Sequence, residues 1–336
     1  MMLRNLNMVL VTAACAAACC QSALAQVLAP TILEIDIENL VEYQNDISDT
    51  SRFGTNPNIT PSAEAATFGP ATVLGDIVAV NGQPAKGTVV GRPWGIVLSP
   101  APNPGRAIAD TTRGSVGFRT FEILKADGTP VGTIMVLGLN GGSTTPGANL
   151  GGQNFAIVGG TGAFLGARGQ QGGRQTPQTI PPRAASIAED PANRRRNGGG
   201  RVRWLLAVIP MTRPEVVMTG GEPMVAHMSD FRLVTPSNPA APGEMLFLFA
   251  TGLGPTVPGV DFGQPFPSSP RALVNSPLQV GVNGNPAEVL VAAGFPGSVD
   301  TYQVQFQVPP GTATGVALVQ LTAAWIAGPA VSIAIR

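Results

Sequence analysis

The chain has 336 residues, among them 42 glycines and 32 prolines, and only 12% of its side chains are charged, summing to a formal net charge of zero. The length is a soft prior for two domains, and the shortage of charge removes the footprint that nucleic acid or an anionic membrane surface demands. Few helix formers, many Val, Ile and Thr and many turn residues argue for short strands and loops.

Residues 1–25 have the layout of a signal peptide. Arg4 gives a positive start, Met8 to Ala18 is apolar but too short to span a bilayer, and Ala23-Leu24-Ala25 matches the small-x-small cleavage pattern. Cleavage after Ala25 makes Gln26 the first mature residue and predicts a secreted or periplasmic product. Acylation of Cys15 or Cys19 is the competing expectation, although the residues before each fit a lipobox poorly. The three cysteines, Cys15, Cys19 and Cys20, all lie in this segment, so the mature chain is expected to carry no disulfide and no thiol chemistry. No later segment is long and apolar enough to read as transmembrane.

From Thr31 to Glu38 the chain alternates strictly. Leu33, Ile35 and Ile37 fall on one face and Glu34, Asp36 and Glu38 on the other, which predicts a half-buried strand with its acids in solvent. Asn45 to Ala66 reads as a loop, and Gly75–Val80 and Gly87–Ser99 as strands. Phe118–Leu124 and Val131–Leu137, joined through Asp127-Gly128, form the clearest hairpin.

The run Val158-Gly159-Gly160-Thr161-Gly162 looks at first like a nucleotide loop. A phosphate loop needs a helix after it, and here Gly166, Gly169 and a Gly/Gln/Pro tract follow. The glycines are therefore read as a bend between strands at 154–158 and 163–167, with Gly159, Gly160 and Gly162 as structural turn residues. Residues 169–200 have no apolar period and read as a disordered insertion, with Arg194, Arg195 and Arg196 on a solvated loop. Val202–Ile209 is a last apolar strand.

The composition shifts over Pro210–Pro223, placing a second domain at 212–336. Strands are predicted at 244–250, 278–282, 288–292, 302–308, 316–321 and 330–335, with a tight turn at Asn283-Gly284. Several short strands in about a hundred residues is the pattern of an immunoglobulin-like β-sandwich.

Three stretches carry a family resemblance for residues 26–211. Tyr43-Gln-Asn-Asp-Ile47, Val90-Gly-Arg-Pro-Trp-Gly-Ile-Val-Leu-Ser99 and Val158-Gly-Gly-Thr-Gly-Ala-Phe164 follow one another as in the dirigent and allene oxide cyclase family, which the chain resembles. The resemblance implies an eight-stranded antiparallel β-barrel with a central cavity. It places Asp46 and Tyr43 on the family's catalytic acid and tyrosine. Two positions depart from it: Val80-Asn81 stands where the family has an acid, and Gly138-Leu139-Asn140 where it has Gly-Arg-Asn. The second half, through Thr251-Gly-Leu-Gly-Pro-Thr256 and Tyr302-Gln-Val-Gln-Phe-Gln-Val-Pro309, resembles an uncharacterised C-terminal module of exported acidobacterial proteins.

The fold class expected is thus all-β, a dirigent-like barrel followed by an Ig-like sandwich. A lone histidine, His227, excludes a multi-histidine metal site, and no Asp-x-Asp-x-Asp calcium loop is present. No metal or cofactor is expected. The leading functional expectation is non-catalytic binding of a small apolar or aromatic ligand, with the Ig-like part as a spacer or interaction module. The alternatives are a cyclase-type isomerase using Asp46 and Tyr43, and a structural envelope protein. Related barrels often assemble, which leaves a homo-oligomer open.

Overall fold

The computed structural model describes residues 30–46, 68–96, 114–140, 153–174, 176–186, 188–210, 212–261 and 263–336. It is all-β. Eight strands form a closed antiparallel barrel: β1 (Thr31–Asp46), β2 (Phe68–Val80), β3 (Gln83–Ile96), β4 (Gly114–Lys125), β5 (Pro130–Asn140), β6 (Gln153–Gly162), β7 (Arg168–Arg174) and, after the short β8 (Arg183–Ser186), β9 (Gly200–Ile209). Each strand pairs with its neighbour, β7 passes to β9, β9 to β1, and β1 back to β2, which leaves the ring no open edge.

The alternation of β1 works as its sequence predicts. Leu33, Ile35 and Ile37 are fully buried in the barrel core beside Phe121, Ile123, Ile134, Ile157 and Leu206. On the outer face Arg203 from β9 bonds Asp36 at 2.6 Å and Glu34 at 3.2 Å, and Arg201 reaches Glu38 at 2.7 Å. A bulge at Asn39, whose φ is +51°, shifts the phase, so that Leu40 rejoins the core.

Two expectations change. The strand after the glycine bend starts at Arg168, because residues 163–166 form a turn closed by Phe164 N–H to the Thr161 carbonyl and Ala167 N–H to the Phe164 carbonyl. Residues 169–200, expected as a disordered insertion, hold β7, the short β8 and one helical turn (Arg194–Asn197). Strand β7 is Arg-Gly-Gln-Gln-Gly-Gly-Arg, which has no apolar period of its own. It becomes a strand because β6 and β9 flank it on both edges. β8 runs parallel to β1 along Val41–Gln44, taking the place that β9 leaves.

Arg194 and Arg195 clamp this segment to the wall. Arg194 donates to Asp76 at 2.5 Å and to the Asn39 carbonyl at 2.8 Å, and Arg195 donates to Asp76 at 3.0 Å. Burial alone would raise the Asp76 carboxyl. The hydrogen bonds from Arg195, Arg194 and Asn39 outweigh it and hold the group below the ordinary aspartate range.

A second, curled sheet follows. Its path runs Glu215–Val216, Met245–Thr251, Tyr302–Gln307, Asn285–Gly294, Leu278–Val282, Gly315–Ala323 and Ile326–Ala327. Its own core gathers Leu246, Leu248, Val304, Phe306, Val319 and Ile333. Asn283 and Gly284 take φ values of +50° and +77°, the left-handed pair that a two-residue hairpin requires.

Candidate functional site at the barrel mouth

The two ends of the barrel differ. At one end the connections are short: Asn81-Gly82, residues 126–129 and residues 163–167. The second sheet covers this end. Trp325 Nε1 donates to Gln83 Oε1 at 3.1 Å, the Asn275 amide donates to the Pro130 carbonyl, and Ala324 and Ile326 are counted within the barrel core. At the other end the connections are long, spanning 47–67, 97–113, 141–152 and 175–199. Binding and catalytic residues concentrate where strands end on longer connections, and this end is called the mouth.

Cross-strand partners share a face, which identifies the residues lining the lumen near the mouth. Glu42 pairs with Val73, Arg119 with Gly91 and Val136, Phe155 with Gln171, and Trp204 with Ile35 and Gly173. Val73, Val136, Phe155 and Trp204 all belong to the barrel core. Gly91 makes room for the arginine: a Cβ there would stand 2.7 Å from Arg119 Cγ.

Arg119 is 5% exposed, and its guanidinium carbon lies 4.6 Å from the ring centres of both Phe155 and Trp204. The planar cation is thus held between two aromatic rings. Trp204 is braced in turn by an edge contact with Phe121 at 5.5 Å. Burial pushes the Arg119 guanidinium down to about 10, with the charge of Glu42 pulling the other way, so the group stays cationic at neutral pH. Gln171 is fully buried, and neither its amide nitrogen nor its amide oxygen has a hydrogen-bond partner. Leaving such a group unpaired costs about 1–3 kcal/mol. Among the described residues the lumen layer therefore holds the Arg119 cation, the Gln171 amide with its donor and acceptor unused, the Glu42 carboxylate and two aromatic faces.

Of the two residues expected to act, the side chain of Tyr43 is among those described. Tyr43 pairs with Thr72, on the face opposite Glu42, and it lies beside β8. It is 4% exposed, and its hydroxyl has no partner. Asp46 ends β1 opposite Phe68, and its side chain lies outside the described residues. Tyr43 and Asp46 are three apart on β1, and the register with β2 shifts between Tyr43 and Gln44.

Gly162 has φ +62°, and a Cβ on Gly160 would run into the Phe164 carbonyl, so both serve the bend. Gly159 has ordinary φ and meets only Met135 Cε at 3.4 Å. Asn81 sits in the turn at the covered end, far from the mouth, while the side chain of Leu139 lies outside the described residues. A lumen arginine exists all the same, supplied by β4 as Arg119. The signal for it was the inward parity of Arg119 with Phe121 and Ile123. His227 is buried in the second sheet, with Nδ1 2.5 Å from Glu244 Oε1 and Nε2 3.2 Å from the Asn238 carbonyl, a structural role. Among the described residues no three His, Cys, Asp or Glu side chains converge on a metal site, and no helix is long and apolar enough to cross a membrane.

Comparison with protein-family models, with curated proteins and with solved structures returned no match.

Proposed function

We propose that the protein is an exported binding protein that takes a small aromatic ligand bearing an oxyanion into the barrel mouth and does not transform it. The observation that carries this reading is Gln171, buried with both amide atoms unpaired, on the same face as an arginine stacked between Phe155 and Trp204. A buried polar group without a partner is costly, and a ligand that supplies the partner recovers that cost. Arg119 supports an anionic group, and the aromatic faces support a flat ring. The dirigent-like motifs, the signal-peptide layout of residues 1–25 and an Ig-like reading of the second sheet are consistent with this proposal.

The isomerase alternative with Asp46 and Tyr43 gains a further candidate in Glu42, a carboxylate on the lumen face within electrostatic reach of Arg119. Tyr43 lies on the face opposite Glu42.

The test is calorimetric titration of the full chain with ferulate and with its methyl ester. The acid is expected to bind more tightly, and Arg119→Met is expected to remove that preference by at least about ten-fold, a charge-assisted contact being worth 1.5–3 kcal/mol. Equal binding of acid and ester, or binding unaffected by Arg119→Met, overturns the reading. Conversion of the bound ligand to a product that Glu42→Gln abolishes would favour the isomerase.

A further inference from the structure

The turn end of the barrel meets the second sheet at a cleft of about 420 Å³. Its lining includes Asn81 and Gln83 from the barrel, and Leu278, Gln279, Thr322 and Trp325 from the second sheet. Among the described residues no charged side chain lines it, while three amides, a hydroxyl and an indole do. We infer that this cleft is a binding site for a neutral carbohydrate.

The polar groups are arranged to leave donors for a ligand. Asn81 Oδ1 accepts the Glu34 backbone N–H at 2.7 Å, and Gln83 Oε1 accepts Trp325 Nε1–H at 3.1 Å. Each bond occupies the amide oxygen and leaves the amide nitrogen to other acceptors. Gln279 is exposed and Thr322 half-buried. Sugars present rings of hydroxyls flanked by C–H faces, so they match amides on one side and an indole on the other. A charged ligand would find no counter-charge here, and an apolar one would strip water from three amides without replacing it.

Trp325 supplies the second observation. Ala324 and Trp325 form the two-residue turn between Ala323 and Ile326, with φ values of +48° and +64°. Such turns strongly prefer Asn-Gly, and a bulky aromatic in the left-handed region is a genuine outlier. Strain of this kind persists at functional sites. Part of the indole packs against the barrel core and the rest lines the cleft. The site joins two parts of the chain, where ligand sites concentrate.

This proposal does not depend on the mouth, which is at the other end of the barrel. The full chain is titrated with maltohexaose, cellohexaose and chitohexaose, and with a polygalacturonate oligomer as an anionic probe. At least one neutral oligosaccharide is expected to bind with a Kd of about 1 mM or tighter and to alter tryptophan fluorescence. Gln279→Ala, an exposed change that removes no packing, is expected to weaken binding about five-fold, the worth of one hydrogen bond. Trp325→Phe is expected to weaken it and to remove the fluorescence change; if that variant does not fold, Gln279→Ala carries the test. Arg119→Met leaves carbohydrate binding unchanged, which separates this site from the mouth. Failure of all three neutral probes at about 10 mM overturns the proposal, as does binding unaffected by Gln279→Ala, or equal binding of the anionic probe.

Discussion

Asp76 on β2 and Arg194, 118 residues further along, meet at 2.5 Å, with both side chains about nine-tenths shielded from solvent. This contact fastens the segment around the helical turn Arg194–Asn197 to the barrel wall. Removing one member of a shielded pair leaves the other charge uncompensated, at a cost of about 3–5 kcal/mol. Asp76→Ala should lower the free energy of unfolding by about 3 kcal/mol and open residues 176–199 to protease, as read by urea denaturation and by mapping the first cleavage.

The same clamp makes the segment acid-sensitive. The folded-state pKa of Asp76 is below its ordinary value of 3.8, so the carboxylate stabilises the fold fully above that value. The contribution is lost as pH falls through the folded pKa. Glu189, held low by its hydrogen bonds from Arg183 in the same segment, acts in the same direction. Cleavage within 176–199 should therefore rise as pH drops below 3.8 in the wild type, and Asp76→Asn should flatten that dependence. Equal protection of the wild-type segment across this range would contradict the clamp.

Gln171 predicts a trade between stability and binding. Its amide is buried and unpaired, so Gln171→Leu removes a desolvation cost at nearly equal volume. The expected gain is about 1–3 kcal/mol, seen as a higher Tm. The same variant should bind ferulate less tightly. A lower Tm would mean that the amide is already satisfied.

Ile326 belongs to the second sheet by pairing and to the barrel by packing, where it is 2% exposed. Ile326→Ala should cost about 2–5 kcal/mol. The loss should appear in the unfolding of the barrel, reported by Trp204 fluorescence, and not only in that of the second sheet. An unchanged barrel midpoint would show the two parts to be independent.

How far the sequence revealed this structure depended on where each residue's partner lies. The period-two run from Thr31 to Glu38 and the turns at Asp127-Gly128 and Asn283-Gly284 encode their conformation locally, and they were legible. Strand β7 was not, because its lumen positions are Gly169, Gln171 and Gly173, which show no apolar alternation. Its conformation comes from β6 and β9. The clamp on Asp76 was hidden for the same reason: three consecutive arginines look solvated until a carboxylate from β2 faces two of them. At the site, a motif comparison pointed to Tyr43, whereas counting strand parity from Phe121 and Ile123 would have pointed to Arg119.

The seating of Ala324 and Ile326 in the barrel core also orders events in time. Ribosomes deliver the barrel's own strands first, and the residues that stopper its base come more than a hundred positions after β9. Until they arrive, the apolar side chains at the base of the barrel lack the cover that Ala324 and Ile326 give them. Contacts this distant in sequence are slow to form, and an exposed apolar surface in a partly folded chain invites aggregation. The barrel is therefore a vessel whose base is fitted last.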